Sequence, residues 1–290
     1  MLRGGEKRVS LRLVHTVAEL RAAVGQWRGA GLRFGYVPTM GALHDGHLSL
    51  VAQALEKTDR VGVSIFVNPT QFGPREDFDA YPRPLEQDLE KLEACGAPLA
   101  FVPKVEEMYP EGFSTAVSVS GLTEELEGAH RPGHFAGVAT VVTKLLTQAL
   151  PDVAVFGNKD YQQLCVIRRL VRDLDLPVEV EGAHTVREAD GLALSSRNVY
   201  LSPEQRRTAA TLYTVLVTVA EEVAEGAAPA LTCAAGIKTL LSAGFEAVDY
   251  LEVRDAETLV PWTNHDRPAR VLAAARLGRT RLLDNLPVSR

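Results

Sequence analysis

The stretch Pro38-Thr39-Met40-Gly41-Ala42-Leu43-His44-Asp45-Gly46-His47 lies between an apolar run, Leu32 to Val37, and a run with helical periodicity, His47 to Leu55. It reads as the turn between a buried strand and a helix. In α/β proteins such a junction binds phosphates, because the first N–H groups of the helix lack intrahelical partners and its dipole is positive there. Gly41 and Gly46 let a ligand approach the backbone closely. His44 and His47 form an H-x-G-H pattern inside the turn.

Outward from this turn, strand and helix patterns alternate. Thr16 to Glu19 has capping-box spacing, followed by Leu20, Val24 and Trp27 at helical intervals. Val61 to Val67 is a β-branched run suited to a parallel strand buried on both faces. A proline-containing loop leads to Pro84, and Leu85, Leu89 and Leu92 mark a helix. Pro98–Val102, Val153–Phe156 and Pro177–Val180 are further strands; Val138–Leu150 and Tyr161–Leu174 are helices. Val117 to His134 is irregular. The alternation predicts an α/β fold, a Rossmann-like parallel sheet with helices on both faces. Such sheets bind ligands beyond the carboxyl ends of their strands. The H-x-G-H turn, Asn68–Gln71 and Gly157–Asp160 all lie at such ends.

The pattern changes after about Thr185. One long helix is expected from Pro203 to about Glu225, another from about Leu231 to Ser242, and strands at Val248–Val253 and Val271–Ala275 in a small mixed sheet. Two domains are expected: residues 1–185, with a disordered start over Met1 to Ser10, and a smaller α+β C-terminal domain over 186–290.

With 46% apolar and 23% charged residues, the composition is that of a globular protein rather than a disordered chain. No apolar run approaches the ~20 residues of a membrane span, and the polar start does not resemble a secretory signal. A net charge of −6 without a basic aromatic-bearing stripe speaks against a nucleic-acid surface. Cys95, Cys165 and Cys233 are odd in number and far apart, which fits a reducing cytoplasm.

Three readings of His44 and His47 stay open from spacing alone: incidental residues at a helix start, half of a zinc site, or imidazoles aimed at a phosphate. Zinc needs three or four ligands, and His15, His130, His134, His184 and His265 form no matching pair. Lys159 and Asp160 are either a surface pair or, for Lys159, a phosphate contact. Ser195-Ser196-Arg197 is either a capped turn or two hydroxyls and a guanidinium for a polyphosphate. Gln71 and Gln163 offer neutral amides to hydroxyls and carboxylates. Asp88 and Asp160 are surface carboxylates or magnesium contacts.

Six blocks, in order, resemble the pantoate–β-alanine ligase family: Pro38 to His47, Phe66 to Phe72, Glu127 to Phe135, Phe156 to Gln163, Arg187 to Asn198 and Thr280 to Asn285. The resemblance places the chain among HIGH-type nucleotidyltransferases. It implies an enzyme that condenses ATP-activated (R)-pantoate with β-alanine through pantoyl adenylate, giving pantothenate, AMP and pyrophosphate. It also implies magnesium and a cytoplasmic homodimer. By that resemblance the ATP positions are Met40, Gly41, Ala42, Leu43, His44, Asp45, Gly46, His47, Gly157, Asn158, Lys159, Asp160, Val186, Leu194, Ser195, Ser196 and Arg197. Gln71, Gln163 and Asn68 match pantoate positions; Gln71, Tyr81 and Arg131 match β-alanine positions; Asp88 matches a magnesium position. His47, His44, Lys159, Ser195, Ser196 and Arg197 are the candidates for transition-state stabilisation. The loop Thr70 to Pro84 and the C-terminal domain are expected to act as lids that keep water from the adenylate.

Overall fold

The strand before the H-x-G-H turn, Phe34–Thr39, is buried because Phe34 and Tyr36 point to one face of a sheet and Val37 to the other, the two-residue period of a strand covered on both sides. The computed structural model describes residues 10–74, 76–263 and 266–289. The start expected to be disordered lies outside these apart from Ser10, as does His265.

In chain order the elements are β1 (Arg12–Val14), α1 (Val17–Gly29), β2 (Phe34–Thr39), α2 (Asp45–Lys57), β3 (Arg60–Ile65), α3 (Leu85–Ala94), β4 (Leu99–Phe101), α4 (Val105–Met108), α5 (Glu127–His130), α6 (His134–Ala149), β5 (Val153–Gly157), α7 (Tyr161–Asp173), β6 (Glu179–Ala183), α8 (Pro203–Ala209), α9 (Thr211–Ala224), α10 (Pro229–Ser242), β7 (Ala247–Asp255), β8 (Ala269–Leu277) and β9 (Thr280–Val288). No helix among the described residues is long and apolar enough to cross a membrane.

Strands β1 to β6 form one sheet in the order β1-β4-β3-β2-β5-β6, every pair parallel. On one face Leu50, Val51 and Ala54 of α2 and Leu92 of α3 pack with Val37, Val61, Val63, Val153 and Val155. On the other, Trp27 of α1 meets Phe34, ring centroids 5.4 Å apart, and α1 packs on α6. The capping box of α1 is present: Glu19 N–H donates to Thr16 Oγ1 at 3.2 Å and Thr16 N–H to Glu19 Oε2 at 3.0 Å.

The smaller sheet, β7-β8-β9, is antiparallel throughout rather than mixed, and it gains a strand that the residue pattern does not predict, Thr280–Val288. Asp284, Asn285 and Pro287 give that segment an unstrand-like composition. The tight turn at Gly278, φ +58°, nonetheless folds β9 back on β8. The long helix expected from Pro203 is two helices joined at Ala210, a junction no glycine or proline marks. Leu212, Leu216 and Val219 of α9 pack with Val271, Ala273 and Leu282 in the core of this part.

The chain divides into two compact units. The first holds the described residues up to Val119, with Gly133–Gly157 and Ile167–Ala183. The second holds Ser120–Pro132, Asn158–Val166 and everything from His184 onward. The second unit therefore takes two segments that precede the boundary expected near Thr185.

Candidate active site

In the first unit the backbone leaves β2 through two consecutive left-handed residues, Gly41 at φ +82° and Ala42 at φ +50°. A Cβ on Gly41 would lie 2.9 Å from Ile65 Cγ2, so glycine is required twice over, by conformation and by space. The alanine is held in its strained conformation by α3. Ala42 N–H and Leu43 N–H donate to the two oxygens of Asp88 at 2.8 and 2.7 Å, and Lys91 Nζ donates to Leu43 O at 2.6 Å. Thr39 Oγ1 donates to Ser64 O at 2.6 Å and accepts from Gly41 N–H at 3.2 Å. Asp88 is buried, and burial pushes its carboxyl above the usual value despite both N–H groups and Lys91. The residue expected at magnesium thus serves as the clamp of the turn.

Helix α2 starts with an unusual cap. His44 is its N-cap, and His44 Nδ1 accepts from Gly46 N–H at 3.2 Å. His47 Nδ1 accepts from His44 N–H at 3.3 Å, and the rings lie 4.1 Å apart. An Nδ1 that accepts a backbone N–H carries no proton, so the proton of each neutral imidazole sits on Nε2. This tautomer presents Nε2–H donors, which suit a phosphate oxygen and not a metal ion bound at Nε2.

Beside the turn, Gln71 Nε2 approaches Met40 Sδ at 3.0 Å, and Gln71 Oε1 accepts from Asn68 Nδ2 at 3.1 Å. Two of the expected pantoate residues and the expected ATP turn are therefore contiguous. Asn68 is fixed from both ends, Nδ2 donating to Gly137 O at 3.3 Å and Oδ1 accepting from Tyr109 Oη at 2.7 Å. His134 Nδ1 donates to Gln71 O at 2.8 Å. Gly137 admits this packing, since a Cβ there would fall 2.3 Å from Thr70 O. Tyr81 is buried with its ring edge-on to Phe72 at 5.9 Å. Tyr109 and Gly137 carry no local sequence signal for these tasks, because each acts on a residue tens of positions away.

In the second unit Asn158–Asp160, directly after β5, forms a short 3-10 turn in which Lys159 Nζ lies 3.6 Å from Asp160 Oδ1. Val186 and Leu194 are drawn together by a hairpin, Leu194 N–H donating to Val186 O at 3.0 Å. Ser195 then caps the 3-10 turn Ser196–Tyr200, Oγ accepting from Arg197 N–H at 3.3 Å. Gln163 is half-buried on the first turn of α7. Its neighbour Gln162, absent from the expected set, is buried and ties the loop before α5: Nε2 donates to Leu122 O at 2.7 Å and Glu125 O at 2.9 Å, while Oε1 accepts from Glu127 N–H at 3.0 Å. Arg131 lies 3.7 Å from the buried Glu127, which also accepts from Tyr250 Oη at 2.8 Å and Arg281 Nη1 at 2.8 Å. Burial pushes the Glu127 carboxyl up, but the hydrogen bond and charge of Arg281, with Tyr250 and Arg131, outweigh it and hold the group below its ordinary value.

A parallel sheet with a paired-histidine turn at its carboxyl edge defines a Rossmann-like, nucleotide-binding enzyme of the HIGH-motif class. Within that class the chain belongs to the pantoate-beta-alanine ligase family, whose profile matches residues 12–287. It is 60% identical over 279 residues to the pantothenate synthetase of Paramagnetospirillum magneticum, covering 96% of this chain and 98% of that one. The crystal structure of pantothenate synthetase from Thermus thermophilus is similar at a TM-score of 0.90 and 52% identity, over 96% of this chain and 100% of that one. The pantoate-beta-alanine ligase of Francisella tularensis, crystallised with beta-gamma ATP and beta-alanine, is similar at a TM-score of 0.82 and 32% identity, over 96% and 98%. The chain is thus an enzyme, an ATP-dependent ligase that condenses (R)-pantoate with β-alanine through a pantoyl adenylate.

Proposed function

We propose that the residues described above carry this ligation in two steps. In the first, a pantoate carboxylate oxygen attacks the α-phosphorus of ATP, a P–O bond forms and pyrophosphate leaves. A carboxylate needs no base, so the protein's task is alignment and charge stabilisation. His44 and His47 donate from Nε2 to phosphate oxygens, and Lys159, Ser195, Ser196 and Arg197 supply further donors. Met40 to Gly46, Gly157 to Asp160, Val186 and Leu194 complete the nucleotide contacts. In the second step the β-alanine amine attacks the acyl carbon, a C–N bond forms and AMP leaves. The ammonium of β-alanine gives up one proton to become the attacking amine and a second as the amide forms, to water or to the phosphate of the departing AMP. Asn68, Gln71 and Gln163 hold pantoate; Gln71, Tyr81 and Arg131 serve β-alanine. The observation that carries the proposal is the shared Nδ1-accepting geometry of His44 and His47.

Magnesium belongs to the proposal as a companion of the nucleotide phosphates. Among the described residues no group of three His, Cys, Asp or Glu is placed to hold a metal ion, and both Asp88 oxygens already bind backbone N–H groups. A protein cage at Asp88 does not fit, and no step is routed through the ion. A homodimer and a cytoplasmic location are inferred from the family resemblance; the odd, widely spaced cysteines favour the latter.

An alternative HIGH-type enzyme that adenylylates a phosphate acceptor would call for cationic acceptor groups. The neutral pair Asn68 and Gln71 favours a hydroxy acid instead. Exchange of labelled pyrophosphate into ATP is the test. It is expected with pantoate present and β-alanine absent, and no exchange above background by folded protein with magnesium would overturn the two-step scheme.

A further inference from the structure

Asp284 and Asn285 are adjacent on β9, so their side chains leave opposite faces of the strand, yet both are buried, 2% and 3% exposed. Asp284 shares its face with Leu282 and Leu286, which pack in the core of the second unit. A carboxylate there is tolerated only with full compensation. Arg187 provides it in a bidentate pair, Nη1 to Oδ2 at 2.5 Å and Nη2 to Oδ1 at 2.9 Å. The same guanidinium donates to Gly191 O at 3.0 Å and stacks 4.4 Å from the Tyr213 ring centroid. Arg187 bridges Ala193 in the hairpin that joins Val186 to Leu194 and runs straight into Ser195-Ser196-Arg197.

Asn285 makes the complementary contacts. Its Nδ2 donates to Asn158 O at 2.9 Å and Lys159 O at 2.8 Å, and its Oδ1 accepts from Arg270, whose guanidinium lies 3.9 Å from the Tyr161 ring centroid. The amide orientation is fixed by this set, since a flipped amide would oppose two carbonyls with an oxygen and a guanidinium with an NH2. Among side chains of this size, only an amide offers two donors to carbonyls and one acceptor to a cation.

We infer that Asp284 and Asn285 are positioning residues for the ligation, one brace that sets the backbone of the Lys159 turn and of the Val186–Arg197 hairpin from a single point on β9. The inference rests on the reading that these two segments meet the phosphates of ATP. It adds that their spacing is set by consecutive residues of one strand, so displacement of β9 moves both phosphate-binding segments together.

Asn285→Asp is the sharpest probe. It is isosteric and keeps an acceptor for Arg270, but it removes both donors and sets a carboxylate against two carbonyls. Misplacement of catalytic groups by about 1 Å costs on the order of 10²-fold. A fall in kcat of roughly 10- to 100-fold is therefore expected, with a raised KM for ATP and an unchanged KM for pantoate. Binding of a non-hydrolysable ATP analogue by calorimetry should weaken in parallel. Because Asn285 acts through the Lys159 turn, Asn285→Asp combined with Lys159→Ala should lose little more than Lys159→Ala alone. Asp284→Asn, also isosteric, weakens the Arg187 arm and should raise the KM for ATP as well. It supplies the readout if Asn285→Asp does not fold.

Wild-type kcat and KM for ATP in folded Asn285→Asp, with Lys159→Ala two decades down, would overturn the brace and leave the ATP site standing. The brace is equally overturned if Asn285→Asp does not fold and Asp284→Asn has a wild-type KM for ATP. Full losses that multiply in the double variant would also overturn it. A near-wild-type Lys159→Ala would instead remove the reading on which the brace rests.

Discussion

His44 and His47 cap one another at the start of α2: the backbone N–H of His44 donates to His47 Nδ1 at 3.3 Å, and the two rings stand 4.1 Å apart. Each imidazole thus has its Nδ1 committed to the fold and carries the proton of its neutral form on Nε2. The two tasks separate by substitution. An asparagine at position 47 places its oxygen near the Nδ1 position and has nothing at Nε2. His47→Asn should keep the helix cap, worth about 1 kcal/mol, while the rate of pyrophosphate exchange falls by roughly two decades, the scale of one transition-state donor. Thermal denaturation and the exchange assay on one preparation check both halves. A near-wild-type rate would move the phosphate away from this turn.

Asp88 distinguishes a clamp from a metal ligand. Asp88→Asn turns one acceptor into a donor facing Ala42 N–H or Leu43 N–H, and an unsatisfied buried group costs about 1–3 kcal/mol. The variant should be less stable by that amount in chemical denaturation and slower in turnover, because the left-handed pair Gly41-Ala42 loses its restraint. A magnesium titration separates the two roles. The deficit is expected to persist at every concentration, and recovery at high magnesium would restore Asp88 as a ligand.

Gly137 tests the packing of α6 on the Pro69–Gln71 turn. With a Cβ falling 2.3 Å from Thr70 O, backbone must move to admit alanine. Overpacking of this kind typically costs about 1–3 kcal/mol. Gly137→Ala should also raise the KM for pantoate, since Gln71 and Asn68 shift with that turn; steady-state kinetics with ATP saturating reads the effect. An unchanged KM for pantoate would remove these two amides from its pocket.

Glu127 gives a pH signature. Its carboxyl lies below the ordinary value of 4.5 in the fold, so it stabilises the native state at neutral pH. That contribution declines as the pH drops through 4.5 and on through the lower folded value. Glu127→Gln lacks the titration. Denaturation midpoints recorded from about pH 6 down to about pH 3 should fall more steeply for the wild type than for the variant. Parallel curves would show that Arg281 and Tyr250 do not hold this carboxylate charged.

The sequence by itself determined the parallel sheet, because apolar β-branched runs alternate with helix-period runs and short turns. It marked the turn to which the chemistry is assigned in our proposal, because Gly41 and Gly46 with two histidines can be read within one short stretch. It also carried the family, through six ordered blocks. The capping box of Thr16 and Glu19 was legible for the same reason, since both its bonds span three residues.

Tertiary structure alone decided what holds those local features in place. No spacing shows that Asp88 grips a turn 45 residues earlier, that Tyr109 fixes Asn68, or that Asn285 holds the carbonyls of Asn158 and Lys159 across more than a hundred residues. The strand β9 escaped the pattern because Asp284 and Asn285 occupy positions where an ordinary strand is apolar or wet. Periodicity records what a side chain does with water, burial or exposure, over a few residues of chain. Hydrogen bonds between distant buried polar groups leave no such period, so they emerge only when the fold brings donor and acceptor within about 3 Å of each other.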